Sequence, residues 1–145
     1  MAMLNPYLYF KDNCEEAFNF YKSVFGGEFA YVGRYKDMPP SPEFPIAKEV
    51  ENMIMHICLP IANGSVLFGA DICKGFGPPV VAGNNFSICI NANSEAEATK
   101  LFNGVSAEGQ VTMPLAKQFW GGLFGKCFDK FGIEWIVSFD ENEAK

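Results

Sequence analysis

The chain is short of histidine, of paired cysteine and of positive charge, and each shortage removes a class of function. One histidine, His56, stands among 145 residues, in the stretch "IMHICL". A single imidazole cannot supply the two or three that histidine-based metal sites use. The five cysteines, Cys14, Cys58, Cys73, Cys89 and Cys127, are odd in number and contain no C-x-x-C pair. That pattern argues against a disulfide framework or a zinc ribbon and fits a reducing, cytoplasmic setting. Lys and Arg total 11 against 17 Asp and Glu, giving a net charge of −6 and a pI near 4.7. Such a surface repels phosphate backbones and anionic lipid, so neither nucleic acid nor a membrane is an expected partner. No apolar run approaches the length of a membrane span, and "MAMLNPYLYF" lacks the basic start and apolar core of a signal peptide. The glycine-rich loops that cradle nucleotide phosphates are absent, as is the G-x-S-x-G elbow of a serine hydrolase.

What is present is apolar. Hydrophobic residues make up 49% of the chain, charged residues 19% and aromatic residues 15%, with 15 Phe. This suffices for one packed domain over residues 1–145 and points to an aromatic core or an aromatic-lined cavity. "LNPYLYF" reads as a strand. "KDNCEEAFNFYKSVFGG" then switches to helical period, with Asn13 as N-cap and Glu16 completing a capping box. Cys14, Ala17, Phe18, Tyr21, Val24 and Phe25 form its apolar stripe, and Gly26-Gly27 ends it. "EFAYVGRY" is a second strand, and the proline-dense "KDMPPSPEFPIAKEVE" is a loop. "NMIMHICLPIANGSVLFGAD" reads as a hairpin closed by an Asn63-Gly64 two-residue turn.

After the Pro/Gly-rich "CKGFGPPVVAGNN" the order starts again. "NNFSICINAN" is a strand, Ser94 and Glu97 repeat the capping box before "EAEATKLFNG", and three further strands follow in "GQVTMPLAKQFW", "GKCFDKF" and "GIEWIVSFD". The two caps, Asn13 and Ser94, are spaced almost as the two strand starts, Asn5 and Asn85. The fold expected is therefore α+β: two βαβββ modules, one over about residues 1–73 and the other over about 84–141, building a curved mixed sheet.

Three of these segments carry a resemblance to a known family. "NPYLYFKDNCEEAFNFYKSVFGGEF", "HICLPIANGSVLFGAD" and "FWGGLFGKCFDKFGIEWIV" are similar to the opening, middle and closing signatures of the PhnB-like branch of the glyoxalase/bleomycin-resistance/dioxygenase superfamily, also called the vicinal oxygen chelate fold. The resemblance implies paired modules lining a U-shaped cleft, usually in a homodimer, and a small organic molecule as ligand. Its metal-using members take a His and a Glu from each module. The matching positions in this chain hold Asn5, Asn85, Phe68 and Ile136. Amides and hydrocarbon are poor transition-metal ligands, so no metal and no cofactor is expected. Relatives of this branch often carry a demethylubiquinone methyltransferase label, yet no glycine-rich methyl-donor loop is visible.

A two-residue turn at Asn63-Gly64 would pair Pro60 with Leu67 and, further along, His56 with Asp71, on one face with Cys58. Phe68 would then share the cleft face with Asn5, Tyr7 and Tyr9, and His56 would point away, its tautomer held by Asp71. A one-residue slip would reverse this and aim His56 into the cavity. A Cys58–His56 dyad lacks any activating positive neighbour. In the second module the cleft face would hold Asn85, Ser87, Cys89, Glu134, Ile136 and Ser138. Two catalytic candidates result: Glu134, a carboxylate beside Ile136 and aromatics that would act as general base if its pKa is raised, and His56. Each has a plain alternative, a solvated strand-end glutamate and a structural His–Asp pair. Trp120, followed by Gly121-Gly122, closes over a ligand or fills a dimer core. Catalysis by lyase- or isomerase-type proton transfer and non-catalytic sequestering of an antibiotic-like molecule both remain open.

Overall fold

A computed structural model describes residues 2–39, 41–43, 45–73 and 75–141. The parts of the two proline-rich connections at residues 40, 44 and 74 lie outside them. The chain divides into two compact units, Met1–Val81 and Ala82–Lys145. The first runs β1 (Tyr7–Phe10), α1 (Cys14–Phe25), β2 (Tyr31–Arg34), β3 (Ile54–Pro60) and β4 (Val66–Asp71). The second runs β5 (Ile88–Asn91), α2 (Glu95–Val105), β6 (Gln110–Lys117), β7 (Leu123–Phe128) and β8 (Glu134–Phe139). The strand–helix–three-strand order is thus used twice, as the sequence pattern predicts.

Each unit builds an open, four-stranded mixed sheet, in the order β1-β4-β3-β2 and β5-β8-β7-β6. In both, the first strand runs parallel to the last and the other neighbours are antiparallel. The helix carries the chain from the first strand at one edge to the second at the other, and two antiparallel steps bring the last strand back beside the first. The fold class is the predicted α+β, two four-stranded mixed sheets with two helices.

One face of each sheet is buried by its helix. Cys14, Ala17, Phe18 and Tyr21 of α1 are wholly buried, together with Leu8, Phe10, Ile57, Leu59 and Leu67 from the strands. Fully burying a side chain such as Phe18 contributes about 1.5–3 kcal/mol. The ring of Phe18 comes so close to Gly69 that any β-carbon there would collide with it. In the second unit Phe102 of α2 occupies the corresponding space over Gly125, where a β-carbon would meet its ring at 2.8 Å. Trp135, Val137 and Cys127 complete that core.

The helices start differently. Ser94 caps α2 as predicted: its hydroxyl accepts the Glu97 N–H at 3.0 Å, and the Glu97 carboxylate accepts the Asn93 N–H at 2.7 Å. Asn13 makes no side-chain cap on α1. The cap there is Asp71, distant in sequence, whose Oδ1 accepts the Cys14 N–H at 2.9 Å while Oδ2 accepts the Ile54 N–H at 2.9 Å. Among the described residues no helix is long and apolar enough to cross a membrane.

Candidate functional site

The register of the β3–β4 hairpin decides where His56 points. Pro60 pairs with Val66, Leu59 with Leu67 and Cys58 with Phe68. The predicted ladder, Pro60 opposite Leu67, is off by one residue, because the loop is longer than two residues. Ile61 N–H donates to Ser65 O at 2.7 Å, and Ala62–Gly64 form a single 3-10 turn. Asn63 (φ 64°) and Gly64 (φ 82°) do adopt the left-handed conformation that makes Asn-Gly a turn signal, within this five-position loop rather than a tight one. A one-residue slip moves every side chain to the other face. His56 therefore leaves the helix side, and its predicted partner Asp71 stays there, spent on α1 and β3.

On the face opposite α1, the parallel pairing of β1 with β4 sets Tyr7 beside Phe68 and Tyr9 beside Ala70. The β2–β3 pairing sets Gly33 beside His56 and Tyr31 beside Cys58. The result is a set of rings around the one imidazole. The Tyr7 hydroxyl lies 2.9 Å from His56 Nδ1. Phe68 stacks on His56 at 5.5 Å between centroids, with Tyr7 at 5.6 Å and Tyr31 at 5.8 Å. Tyr7 also stacks on Phe68 at 5.9 Å and stands 5.1 Å from Tyr9. The Tyr31 ring folds back over Gly33, where a β-carbon would meet its hydroxyl at 2.5 Å. A glycine in the strand position facing the histidine is the sequence signal that marked Tyr31, which the sequence reading missed.

These rings are not a closed core. Tyr7 is 39% exposed, Tyr31 49% and Tyr9 53%, so π-faces and hydroxyls stay open to a ligand. Burial, helped by the nearby Tyr9 and Cys14, pushes the Tyr7 phenol above its ordinary pKa, so it keeps its proton in the neutral range. Tyr7 donates to Nδ1 when the imidazole carries its proton on Nε2, and accepts when it is on Nδ1. The first arrangement presents an N–H at Nε2, the second a basic lone pair.

The donor set does not fit a transition metal. The Asn5 amide oxygen accepts the Val66 N–H at 3.2 Å, Phe68 offers only its ring, and His56 Nδ1 is taken by Tyr7. Among the described residues no three His, Cys, Asp or Glu side chains gather closely enough to hold an ion.

The equivalent face of the second unit mixes polar groups with apolar ones. Ile88 pairs with Trp135 and Cys89 with Ile136, which brings Ser87, one residue earlier, against Glu134. The Ser87 hydroxyl donates to Glu134 Oε1. Asn85 precedes β5 and is exposed, and Ile136 lies half-buried on this face. Lys126, opposite Ile136 on β7, shares the face and was not singled out in the sequence. Trp120 packs its ring back over Gly122 within its own turn, closed by the Gln118 N–H to Gly122 O bond at 2.8 Å. The thiols of Cys14 and Cys89 are raised in pKa by burial and Cys127 is pushed up to about 11, mainly by burial, so none of the three is a ready nucleophile.

A family model described as 3-demethylubiquinone-9 3-methyltransferase matches residues 2–138. Protein YjdN of Escherichia coli K12 is 29% identical over 141 residues, covering 93% of each chain. Among solved structures, protein PA1353 from Pseudomonas aeruginosa superposes with a TM-score of 0.83 at 33% identity, covering 97% of this chain and 98% of that one. A glyoxylase/bleomycin resistance protein/dioxygenase domain from Frankia sp. EAN1pec shares the fold at 10% identity, with a TM-score of 0.66 over 97% and 98% of the two chains.

Proposed function

The chain belongs to the 3-demethylubiquinone-9 3-methyltransferase family, a PhnB-like group with the glyoxalase/bleomycin-resistance fold, and on that premise we propose that it binds a small organic molecule on the aromatic face of its first unit. A planar ligand stacks on Tyr7, Tyr9 and Phe68, and His56 exchanges a proton with it at Nε2. The single observation that carries this reading is the 2.9 Å contact between the Tyr7 hydroxyl and His56 Nδ1 on an open aromatic face. A hydrogen bond at one ring nitrogen fixes the state of the other.

Chemically, the pair supports an isomerase- or lyase-type step without a Lewis acid, metal or cofactor. With Nδ1–H donating to the Tyr7 oxygen, Nε2 takes a proton from an acidified C–H or O–H of the ligand. The imidazolium returns that proton to a second carbon in an isomerase-type step, or to the departing group as its bond to carbon breaks in a lyase-type one, so the proton balance closes on histidine alone. Proton transfer, rather than the methyl transfer in the family's description, is the chemistry these groups perform by themselves. Asn5 completes the lining proposed for the first unit. On the second unit, taken by itself, Glu134, hydrogen-bonded by Ser87, stays a candidate base, with Asn85, Ile136 and Trp120 as candidate ligand contacts. The homodimer implied by the resemblance and the cytoplasmic location expected from the cysteine pattern belong to the same proposal.

The exposed stacking rings also favour a second reading, in which the protein sequesters a planar, antibiotic-like molecule and changes nothing in it. One experiment separates the two. Planar aromatic carbonyl compounds are screened for binding by ligand-observed NMR in deuterated buffer. Binders should weaken about tenfold on Phe68→Ala. Catalysis predicts deuterium entering the bound ligand, an exchange lost in His56→Gln with binding retained. Binding without exchange selects sequestering, and binding indifferent to both Phe68→Ala and Tyr7→Phe removes the site.

A further inference from the structure

We propose that Arg34 is a positioning residue for His56: its guanidinium locks a β-bulge whose extra residue, Met55, immediately precedes the histidine. The proposal rests on the reading of His56 as the proton-exchanging group. β2 and β3 pair in step from Tyr31 opposite Cys58 to Gly33 opposite His56, and the next pair is Arg34 opposite Ile54. Met55 is therefore the extra residue on β3. Ile54 and Ile57 stand three positions apart, yet each is buried in the core at 1% exposure. Strict alternation would put them on opposite faces. The bulge lets both point inward while His56 points to the aromatic face.

Such a bulge would slip easily if nothing held it. β2 is four residues long and lies at the edge of its sheet, with one neighbouring strand to set its register. A slide of one residue would set Val32 opposite His56 and take Gly33 and Tyr31 off its face. Arg34 stands against that slide. Its Nη1 donates to Asn52 O at 2.8 Å and to Glu15 Oε1 at 3.1 Å, and its Nη2 donates to Glu15 Oε2 at 2.7 Å. One planar fork thus ties β2 to the entry of β3 and to α1. Behind it, Tyr35 N–H donates to Met53 O at 3.1 Å and Lys36 N–H to Glu51 O at 3.0 Å, which continues the shifted pairing.

The Arg34 bond holds the Glu15 carboxyl below the usual carboxylate range, so the pair stays charged at neutral pH. Glu15 is half exposed, and an ion pair of that kind adds little to stability. Its consequence is geometric. Tyr7 reaches His56 from the β1 side of the sheet, and Tyr31 flanks it from β2 at 5.8 Å between centroids. With β2 locked, the imidazole is held between two rings and Nδ1 stays on the Tyr7 hydroxyl. With β2 free to slide, one flank is lost and the ring turns away from Tyr7.

The test is the ring-nitrogen NMR spectrum of the ¹⁵N-labelled full chain, which needs no ligand and so stands apart from any failure of the proton-transfer reading. Arg34→Met should move the His56 Nδ1 resonance toward its position in Tyr7→Phe and speed amide exchange at Met55 and His56 about tenfold, with the rest of the spectrum folded. Arg34→Lys should restore part of the wild-type position, because an ammonium cannot meet all three acceptors in the plane of the fork. Glu15→Gln, which keeps the bond to Asn52 O, should move the resonance least. An Nδ1 resonance unchanged in Arg34→Met overturns the proposal. So does a shift in Glu15→Gln as large as in Arg34→Met, which would leave a charge effect and no positioning. Should Arg34→Met not fold, Arg34→Lys decides: a partial shift supports the proposal and a wild-type resonance overturns it.

Discussion

The two units repeat one topology, yet they use their buried carboxylates in opposite ways. Asp71 and Asp129 are each almost wholly buried, at 2% and 3% exposure. Asp71 ties together segments far apart in the chain: the first turn of α1, the start of β3, and Tyr35, whose hydroxyl donates to the Asp71 carbonyl at 2.6 Å. Asp129 binds groups close to it in sequence. It accepts the Phe131 and Ile133 N–H groups at 2.8 and 3.1 Å and the Trp135 indole N–H at 2.8 Å, shaping the turn between β7 and β8. One fold tolerates a long-range clasp in one copy and a local turn lock in the other, provided every buried donor is satisfied.

Breaking the clasp should have the largest effect. Asp71→Ala strands two buried backbone N–H groups and is expected to cost about 3 kcal/mol, read from the denaturation midpoint. Amide exchange should accelerate in α1 and β3 together, because the two are held by one carboxylate. Burial raises the Asp71 pKa against the opposing pull of the Ile54 and Cys14 N–H groups. A carboxyl raised in the folded state binds more protons folded than unfolded. Its contribution to stability is therefore greatest below the ordinary carboxylate range and falls as pH rises from about 4 through the raised value. Asp71→Asn should flatten that slope, though its amide can accept from only one of the two N–H groups.

Asp129→Ala comes next, at about 2 kcal/mol, with faster exchange confined to residues 129–135 and a change in Trp135 fluorescence. Exchange that spreads equally in both variants would erase the contrast between clasp and lock. The helix caps give the smallest and sharpest test. Ser94→Ala should cost about 1 kcal/mol, while Asn13→Ala, whose side chain caps nothing, should cost less than about 0.5 kcal/mol.

The same contrast explains what could be read from the sequence. Element order, the duplication and the Ser94 cap are written in local patterns of periodicity and spacing, so they were legible. The cap of α1 was not, because Asp71 reaches it from another strand and leaves Asn13 idle. The hairpin register failed for a related reason. Asn63-Gly64 correctly marks left-handed backbone, but the dipeptide does not say how many residues the loop contains. That single count moved His56 from the Asp71 side to the aromatic face. Tyr7, Tyr9 and Phe68 could be placed on one face from strand alternation, whereas Tyr31 and Lys126 join their faces only through neighbouring strands that no local pattern aligns.

With His56 the one histidine, the imaging of its ring nitrogens by NMR needs no assignment, and it tests the site most directly. The account predicts that Tyr7→Phe shifts the Nδ1 resonance, and that Asp71→Asn leaves it in place once the protein is shown to be folded. A ring that responds to Asp71→Asn and ignores Tyr7→Phe would put His56 back on the helix side and contradict the account.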